Sequence, residues 1–257
     1  MQISIKRLVV EYGRPKRSRL RVLDNISSVI EDGSITVILG PSGCGKSTLL
    51  NVLAGLIAPT SGEIVFDKTV LASVGYVFQT PSLIPWRSVL GNALLGIELK
   101  QGVTPQAEAR ARRLLTSYHL GECLDQFPKI LSGGMQQRLA MVRAVVAGAN
   151  VLLLDEPFSD SDYVMRRELQ TDLVRAVEEE ALTAVFVTHD VEEAVHIGDK
   201  VVVLTPCPAR VAAEVEIRIP RRERVRDRWV MDRGLSPYMD RIWAAIDSAG
   251  GGDTSNQ

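Results

Sequence analysis

The sequence has 257 residues, of which 46% are hydrophobic and 24% charged, a composition typical of a globular chain that can bury a sizeable core. Thirty basic and 31 acidic side chains leave a formal charge of -1, which gives no sign of a nucleic-acid partner. The cysteines Cys44, Cys123 and Cys207 share no metal-ligand or redox spacing and therefore predict reduced thiols in the cytosol. No apolar run reaches the roughly 18 residues of a membrane-spanning helix, and the first residues are too charged for a signal peptide, so we expect only peripheral membrane contact.

Short runs of β-branched and aliphatic residues predict strands early in the chain, and apolar spacing predicts mainly helices from about 89 to 147. Within that region TPQAEARARRLLTS begins with a threonine cap and a proline at the first helical position. Strands then alternate with helices, which favours a parallel sheet with a helical insert before it. The predicted strands are Ile3–Tyr12, Ile35–Leu39, Glu63–Asp67, Val74–Phe78, Val151–Asp155, Ala184–Thr188 and Lys200–Thr205, and the predicted helices include Thr104–Ser117, Asp162–Glu180 and Val191–His196.

The chain changes character after Pro220. The segment RRERVRDRWVMDR mixes six arginines with three acidic residues, and we interpret it as a solvated face. Leu235–Asp247 follows as a predicted amphipathic helix, and the polar, glycine-rich residues 248–257 are expected to be disordered.

Residues 40–48 read GPSGCGKST, which satisfies the pattern GxxxxGK[ST] between the strand ITVIL and the helical run TLLNVLAG. Glycines in such a loop let backbone N–H groups converge on phosphate oxygens, and the following helix presents its positive end. Lys46 would reach the outer phosphates, and Ser47 would coordinate Mg²⁺. The nine residues of this P-loop, the predicted nucleoside-triphosphate contacts, are Gly40, Pro41, Ser42, Gly43, Cys44, Gly45, Lys46, Ser47 and Thr48.

A second chemical signal is the pair Asp155 and Glu156, which ends the apolar strand VLLLD. Open α/β sheets bind their ligands at the carboxyl ends of strands. We therefore predict that Asp155 holds Mg²⁺, directly or through water, and that Glu156 is the general base that polarises the attacking water.

LSGGMQQR at 131–138 lies between these two motifs, and with it the chain resembles the ATPases of ABC transporters. The resemblance spans nearly the whole chain and implies an α/β fold: a P-loop NTPase (RecA-like) core with an N-terminal antiparallel β subdomain and an α-helical subdomain. It also implies roles for Tyr12 as the adenine-stacking aromatic, Gln79 as the Q-loop glutamine and Mg²⁺ ligand, and His189 as the switch histidine. A core aromatic and a core histidine are the alternatives for Tyr12 and His189.

The resemblance further implies that two cassettes close head-to-tail over two ATP molecules. Ser132, Gly133 and Gly134 of one subunit, with Asp162, would then cap the nucleotide of the other, in a homodimer or with a second cassette. The loop after Pro157 departs from the family pattern SALD, since it reads SDSD at 159–162. The added charge of Asp160 predicts weaker closure or altered communication between the two sites.

By the same resemblance, the expected domains are an ABC ATPase domain over 1–220, with the helical subdomain at about 87–148, and a C-terminal helical extension over 221–247. The phrase VFQTPSLIPWRSVLGNALLGIEL and the later PAR are similar to importer cassettes for nitrate, sulfonates and taurine. This implies a transport-coupled ATPase at the cytoplasmic face of the cell membrane. Its partners would be ABC permease subunits and, indirectly, a solute-binding protein, and Leu83, Ile84 and Trp86 would form the apolar wall that receives a coupling helix.

Two other classes remain open from the sequence: a soluble ABC ATPase of the assembly-factor type and an exporter cassette. Oxyanions and sulfonates lead among the solutes, followed by a pyrimidine-type vitamin precursor or an aromatic acid. A cassette does not touch the solute, so its residues cannot name it.

Overall fold

The computed structural model describes residues 1–13, 19–67, 73–226 and 234–250, which divide into two compact units. The first unit combines both ends of the chain, Met1–Leu71 and Thr183–Gln257, and the second unit is Ala72–Leu182. The region predicted as a helical subdomain, at about 87–148, falls inside the second unit, which is wider and also includes strands.

A three-stranded antiparallel sheet in the first unit has the order β2-β1-β4. Ile3 of the central strand pairs with Ile30 on one side and with Phe66 on the other. Its apolar side chains alternate toward the core, as a sheet with one covered face requires. The strands are β1 (Ile3–Tyr12), β2 (Leu20–Ile30) and β4 (Ser61–Phe66), of which β2 was absent from the sequence prediction.

The other sheet of the first unit contains β7, β3 and β8 as parallel neighbours, with β9 antiparallel at the edge. All five residues of β3 and all six of β7 are buried, which explains their nearly continuous apolar sequence. The elements are β3 (Ile35–Leu39), α1 (Lys46–Leu53), β7 (Thr183–Thr188), α6 (Val191–Ile197), β8 (Lys200–Leu204) and β9 (Val211–Glu216). The antiparallel β9 is a further strand that the sequence analysis missed.

In the second unit, two parallel strands accompany four helices. Helix α3 begins as predicted, because the Thr104 hydroxyl accepts a hydrogen bond from the backbone N–H of Ala107 at 3.2 Å. A buried ion pair joins α4 to α5, with Arg138 Nε donating to Asp172 Oδ2 at 2.7 Å. The elements are β5 (Val74–Val77), α2 (Val89–Gln101), α3 (Pro105–Ser117), α4 (Gly133–Val146), β6 (Val151–Asp155) and α5 (Tyr163–Glu179).

The C-terminal extension consists of α7 (Arg221–Arg226) and α8 (Ser236–Gly250), and α8 packs against β8, β9 and α6. The predicted disordered tail is wrong at its start, because α8 continues through residues 248–250; residues 251–257 lie outside the described part of the chain. The interpretation of 221–233 as a solvated face is also wrong for Arg224, which is fully buried; residues 227–233 of that segment lie outside the described part of the chain.

Arg224 is buried where it can satisfy the backbone carbonyl groups at the end of α6. Its guanidinium donates to the carbonyl oxygens of Val195 (2.7 Å), His196 (3.2 Å) and Gly198 (2.7 Å), where α6 ends. Carbonyls at the end of a helix have no partner within the helix, and a cation also complements the helix dipole there. Burial lowers the pKa of Arg224 to about 10, so the group is still charged at neutral pH.

Candidate functional site

The loop between β3 and α1 has a backbone that only glycine adopts readily. Gly43 has a φ of 77° and Gly45 a φ of 121°. A Cβ on Gly45 would lie 2.8 Å from Cγ1 of Val22 and 2.9 Å from Cδ2 of Leu23, so a side chain would clash as well as strain the backbone. The backbone conformation therefore favours glycine at both positions, and at Gly45 the neighbouring side chains also leave no room for a Cβ.

Lys46 is the first residue of α1, and its ammonium group turns back across the loop. Its Nζ donates to the carbonyl oxygens of Gly40 at 2.9 Å and Pro41 at 3.1 Å. The side chain is buried, whereas Ser47 is exposed. A cation, a helix N-terminus and an accessible hydroxyl thus lie together, the set of groups that binds a phosphate chain.

Tyr12 and His189 both lie in the first unit with the P-loop. Tyr12 ends β1 and is 41% exposed, with its hydroxyl 3.5 Å from Oγ1 of Thr48, so it is available for stacking. His189 is exposed directly after β7, the parallel neighbour of β3. A cavity of about 240 Å³ has His189, Gly40 and Pro41 among its lining residues. The alternative of a core residue is thus wrong for both side chains.

The rest of that cavity is apolar and includes side chains from the C-terminal extension. Trp243 and Ile246 of α8 line it together with Leu39, Leu204 and Pro206. The extension therefore shares a cavity with the start of the P-loop and with the residue that follows β7, an arrangement that no sequence motif indicated.

Cys44 is the buried thiol of the P-loop. Burial raises its pKa, and the positive charge of Lys46 offsets this only in part. A thiol with a raised pKa carries little thiolate at neutral pH and is a poor nucleophile. We therefore find no reason to assign Cys44 a catalytic task.

In the second unit, Asp155 ends β6 and Glu156 follows with a φ of 46°, a left-handed conformation that is uncommon for a residue with a side chain. The Tyr76 hydroxyl donates to Oδ2 of Asp155 at 3.3 Å. Burial, and then the nearby carboxylate, raise the pKa of Tyr76, so it stays a hydrogen-bond donor. Tyr76 is a site residue that the sequence analysis missed, and its place on β5, paired with β6, was the available signal.

Helix α4 begins at the motif LSGG. The Ser132 hydroxyl caps it by accepting from the N–H of Met135 at 3.3 Å, and Ser132 and Gly133 are exposed. A Cβ on Gly134 would lie 2.2 Å from Sδ of Met165 on α5, so this glycine permits close helix packing. The motif thus presents an accessible helix N-terminus, and its second glycine is needed for the close packing of α4 against α5.

The loop 159–162 leads into α5. Asp162 caps that helix, since its Oδ1 accepts from the N–H of Met165 at 2.9 Å. Asp160 is exposed, and its Oδ1 is 3.4 Å from the hydroxyl of Ser159. The retained carboxylate of Asp162 therefore has a local structural role, and the additional Asp160 is available to a partner.

Gln79 is exposed after β5 and lines a cleft of about 120 Å³ with Gly133 and Asp160. Further along, Trp86 is 76% exposed, whereas Leu83 and Ile84 are half-buried. Of the three residues predicted to receive a membrane subunit, only Trp86 presents most of its side chain to solvent.

These observations define a class. A loop that requires glycine joins the buried strand β3 to a helix that starts with a lysine and an exposed serine. Later in the chain, the parallel strands β5 and β6 pair, and β6 ends in the carboxylate of Asp155. Such an arrangement belongs to the P-loop nucleotide-binding α/β proteins.

Comparison with known proteins identifies one family within this class. Residues 23–159 match the model of the family described as ABC transporter, and the chain belongs to that family. It is 40% identical over 210 residues to the "Aliphatic sulfonates import ATP-binding protein SsuB 2" of Burkholderia cenocepacia, covering 80% of this chain and 76% of the relative. It is also 40% identical over 215 residues to the "Taurine import ATP-binding protein TauB" of Rhizobium johnstonii, covering 82% and 80%.

A solved structure extends the comparison to architecture. The "Dimeric structure of a post-hydrolysis state of the ATP-binding cassette MJ0796 bound to ADP and Pi" matches with a TM-score of 0.72 and 29% identity, over 85% of this chain and 100% of that one. The chain is thus an ATP-hydrolysing ABC cassette, and the α/β P-loop NTPase fold implied by the sequence is confirmed. No helix within the described ranges is long and apolar enough to cross a membrane.

Proposed function

We propose that this chain is the ATP-hydrolysing subunit of an ABC importer that takes up a sulfonate, taurine or a related oxyanion through separate permease subunits. The observation that supports ATP binding is the P-loop, where Lys46 and the glycine conformations form a phosphate cradle. The similarity to import subunits for aliphatic sulfonates and taurine supports the direction of transport and the solute class.

In this proposal each site residue has a separate role in ATP binding or hydrolysis. The P-loop residues 40–48 bind the phosphates, Lys46 neutralises charge on the transferred group, and Tyr12 stacks on the base. Glu156 accepts a proton from the attacking water, which Gln79 and His189 help to orient. Water must be activated here by a positioned base because its own nucleophilicity at neutral pH is low.

The donor set fits Mg²⁺. The Ser47 hydroxyl, the Gln79 side-chain carbonyl and the Asp155 carboxylate are hard oxygen ligands, which Mg²⁺ prefers, and phosphate oxygens commonly complete its octahedron. Bound Mg²⁺ would neutralise charge on the phosphates. Tyr76, through its 3.3 Å contact with Oδ2 of Asp155, would keep that carboxylate oriented.

A second copy, or a different cassette, would complete each site. The exposed Ser132 and Gly133, with the buried Gly134 behind them, provide a helix N-terminus that can cap the nucleotide of the partner, and Asp162 would act with them. The dimeric state of the MJ0796 cassette supports the pairing of two cassettes. Permeases would contact the surface at Trp86, with Leu83 and Ile84 behind it, which puts the chain at the cytoplasmic face of the membrane.

The decisive test replaces the proposed base. Glu156→Gln keeps the size of the side chain and removes its basicity, so we expect ATP hydrolysis by the permease-bound chain to fall about 10²-fold or more. ATP binding, measured by equilibrium dialysis with labelled nucleotide, should persist. Glu122→Gln, at an exposed glutamate, is the matched control and should retain activity. Full hydrolysis by Glu156→Gln would refute the role of Glu156.

The transported solute and the direction of transport need a separate assay. With the permease and its binding protein in proteoliposomes, we expect ATP-dependent accumulation of labelled taurine or methanesulfonate on the cassette side. Extrusion from that side would identify an exporter instead. A chain that hydrolyses ATP but never co-purifies with a membrane subunit would favour a soluble ATPase of the assembly-factor type.

A further inference from the structure

His189, which helps to orient the attacking water in the proposed function, lies in the turn between β7 and α6. The next residue, Asp190, fixes this turn. Its N–H donates to Oγ1 of Thr188 at 3.0 Å, and its Oδ1 accepts from the N–H of Glu193 at 3.1 Å. Because Asp190 is the cap of α6, the position of His189 depends on how firmly α6 is held.

Helix α6 is too short to be stable by itself. Val191–Ile197 is about 10 Å long, and isolated helices of fewer than about 12 residues are marginal in water. The helix also ends abruptly, since Gly198 is extended, with a φ of -75° and a ψ of 139°. Its last carbonyl groups therefore need partners from outside the helix.

Arg224 of the C-terminal extension is the partner of these carbonyls. Its buried guanidinium donates to three of them where α6 ends. Asp199 holds the same junction to the sheet, because its Oδ2 accepts from the Ile35 N–H of β3 at 2.8 Å and its Oδ1 lies 3.3 Å from Nε of Arg221. The extension, the end of α6 and the first residue of β3 thus form one connected network.

A second contact of the extension lies beside His189 itself. Trp243 and Ile246 of α8 line the apolar cavity of about 240 Å³ that His189 also lines. Helix α8 packs against α6 as well. A bulky indole next to a cavity of this size limits the directions in which the imidazole can move.

We propose that the C-terminal extension positions His189 for ATP hydrolysis, with Arg224 and Trp243 as its positioning residues. Arg224 keeps α6 intact, and Trp243 restricts the space beside the imidazole. This inference rests on the proposed function, because it needs His189 to act on the attacking water. Nucleotide affinity comes from the P-loop, where the carbonyls of Gly40 and Pro41 hold Lys46, so loss of the extension contacts should change turnover more than ATP binding.

Hydrogen exchange on the purified chain tests whether Arg224 holds α6. In Arg224→Met we expect the amides of Asp190 and Glu193 to exchange about tenfold faster. Ile3→Ala is the matched control, because Ile3 is fully buried at the end of β1 opposite Tyr12 and its truncation should destabilise the chain without touching α6. Unchanged exchange in Arg224→Met, or equal acceleration in Ile3→Ala, would overturn the attachment.

ATP hydrolysis by the permease-bound complex tests the positioning. We expect Arg224→Met to lower kcat about tenfold while the KM for ATP stays within about twofold. In a chain that already carries His189→Ala, adding Arg224→Met should lower kcat by less than about twofold, because the positioned group is gone. Ile3→Ala should keep a normal kcat. Equal losses in the two backgrounds would show that Arg224 acts without His189 and would overturn the proposal.

Two further variants cover the case in which Arg224→Met folds poorly. Arg224→Lys retains a donor and should recover part of kcat. Trp243 is 50% exposed, so Trp243→Ala should fold normally and lower kcat about threefold. Arg241→Ala is its control, since Arg241 is exposed on the same helix and lines a different cleft. A kcat in Trp243→Ala equal to that of Arg241→Ala would overturn the role of Trp243.

The two proposals fail differently. If His189→Ala hydrolyses ATP at the wild-type rate, the role of His189 in the proposed function is wrong and the positioning proposal falls with it, while the exchange result still decides whether Arg224 holds α6. If His189→Ala is impaired and Arg224→Met is not, the proposed function stands and the positioning proposal is wrong.

Discussion

Replacing Arg224 with methionine removes the anchor of the C-terminal extension. The guanidinium makes three hydrogen bonds to the carbonyls where α6 ends and a fourth, at 2.8 Å, to the carbonyl of Ile219. Methionine matches the arginine side chain only as far as Nε and has no donor, so it keeps the packing of the stem while leaving these carbonyls buried. Asp199 loses one cation but keeps Arg221, whose Nε is 3.3 Å away.

The cost follows from the number of contacts. An unsatisfied buried carbonyl costs about 1–3 kcal/mol, and breaking a buried charged contact typically costs about 3–5 kcal/mol. Because carbonyl oxygens can relax toward other donors, we expect a loss of about 3–4 kcal/mol in the free energy of unfolding for Arg224→Met. For a chain of this size that corresponds to a fall in Tm of roughly 10 °C.

Urea and thermal unfolding followed by circular dichroism would measure this loss. Arg218→Met is the matched control, since its side chain is 86% exposed and lies 4.0 Å from Glu216, a contact worth about 0.5 kcal/mol or less. If the two variants unfold within 1 kcal/mol of each other, Arg224 does not anchor the extension and the reasoning from buried carbonyls is wrong.

Three further changes test local features of the two units. Gly134→Ala should destabilise the chain by about 1–3 kcal/mol in urea unfolding, because the new Cβ meets Sδ of Met165 at 2.2 Å. Asp162→Ala should cost about 1 kcal/mol in the same assay, through loss of the cap of α5. N-ethylmaleimide at pH 7 should modify the exposed Cys207 well before Cys44, because burial both shields Cys44 and raises its pKa; mass spectrometry of timed samples would follow the order.

Each of these three predictions has a control at another residue of the chain. At Gly133 a Cβ meets nothing within 4 Å, so Gly133→Ala should leave unfolding nearly unchanged, and equal destabilisation would contradict the packing argument. Asp160→Ala should be nearly neutral for stability, yet it should alter ATP hydrolysis by the complete transporter if its charge weakens closure. Labelling of Cys44 as fast as Cys207 would show that the P-loop opens readily.

Much of the fold follows from local pattern. Ile3–Tyr12, Ile35–Leu39 and Val151–Asp155 were predicted with their observed ends, because each is rich in β-branched and aliphatic residues over the length of a typical strand. By contrast, β2 has the mixed sequence LRVLDNISSVI and was missed. Its pairing with β1 gives it a strand conformation that its own residues signal weakly.

The sequence by itself determined the phosphate chemistry. A pattern such as GPSGCGKST leaves little choice, because only glycine adopts the φ of 121° seen at Gly45 and only a flexible cation reaches across the loop as Lys46 does. The position of Asp155 and Glu156 at the end of a buried strand was likewise predictable, because a polar pair directly follows an apolar run.

Only the tertiary structure decided what the remaining polar side chains do. Arg224 was interpreted as part of a solvated face, and the sequence predicted no role for Gln137 or Arg143. All three instead serve backbone carbonyls of segments 26 to 62 residues away in sequence. Sequence alone cannot show such contacts, because a carbonyl is present at every residue and only the fold decides which ones are buried without a partner.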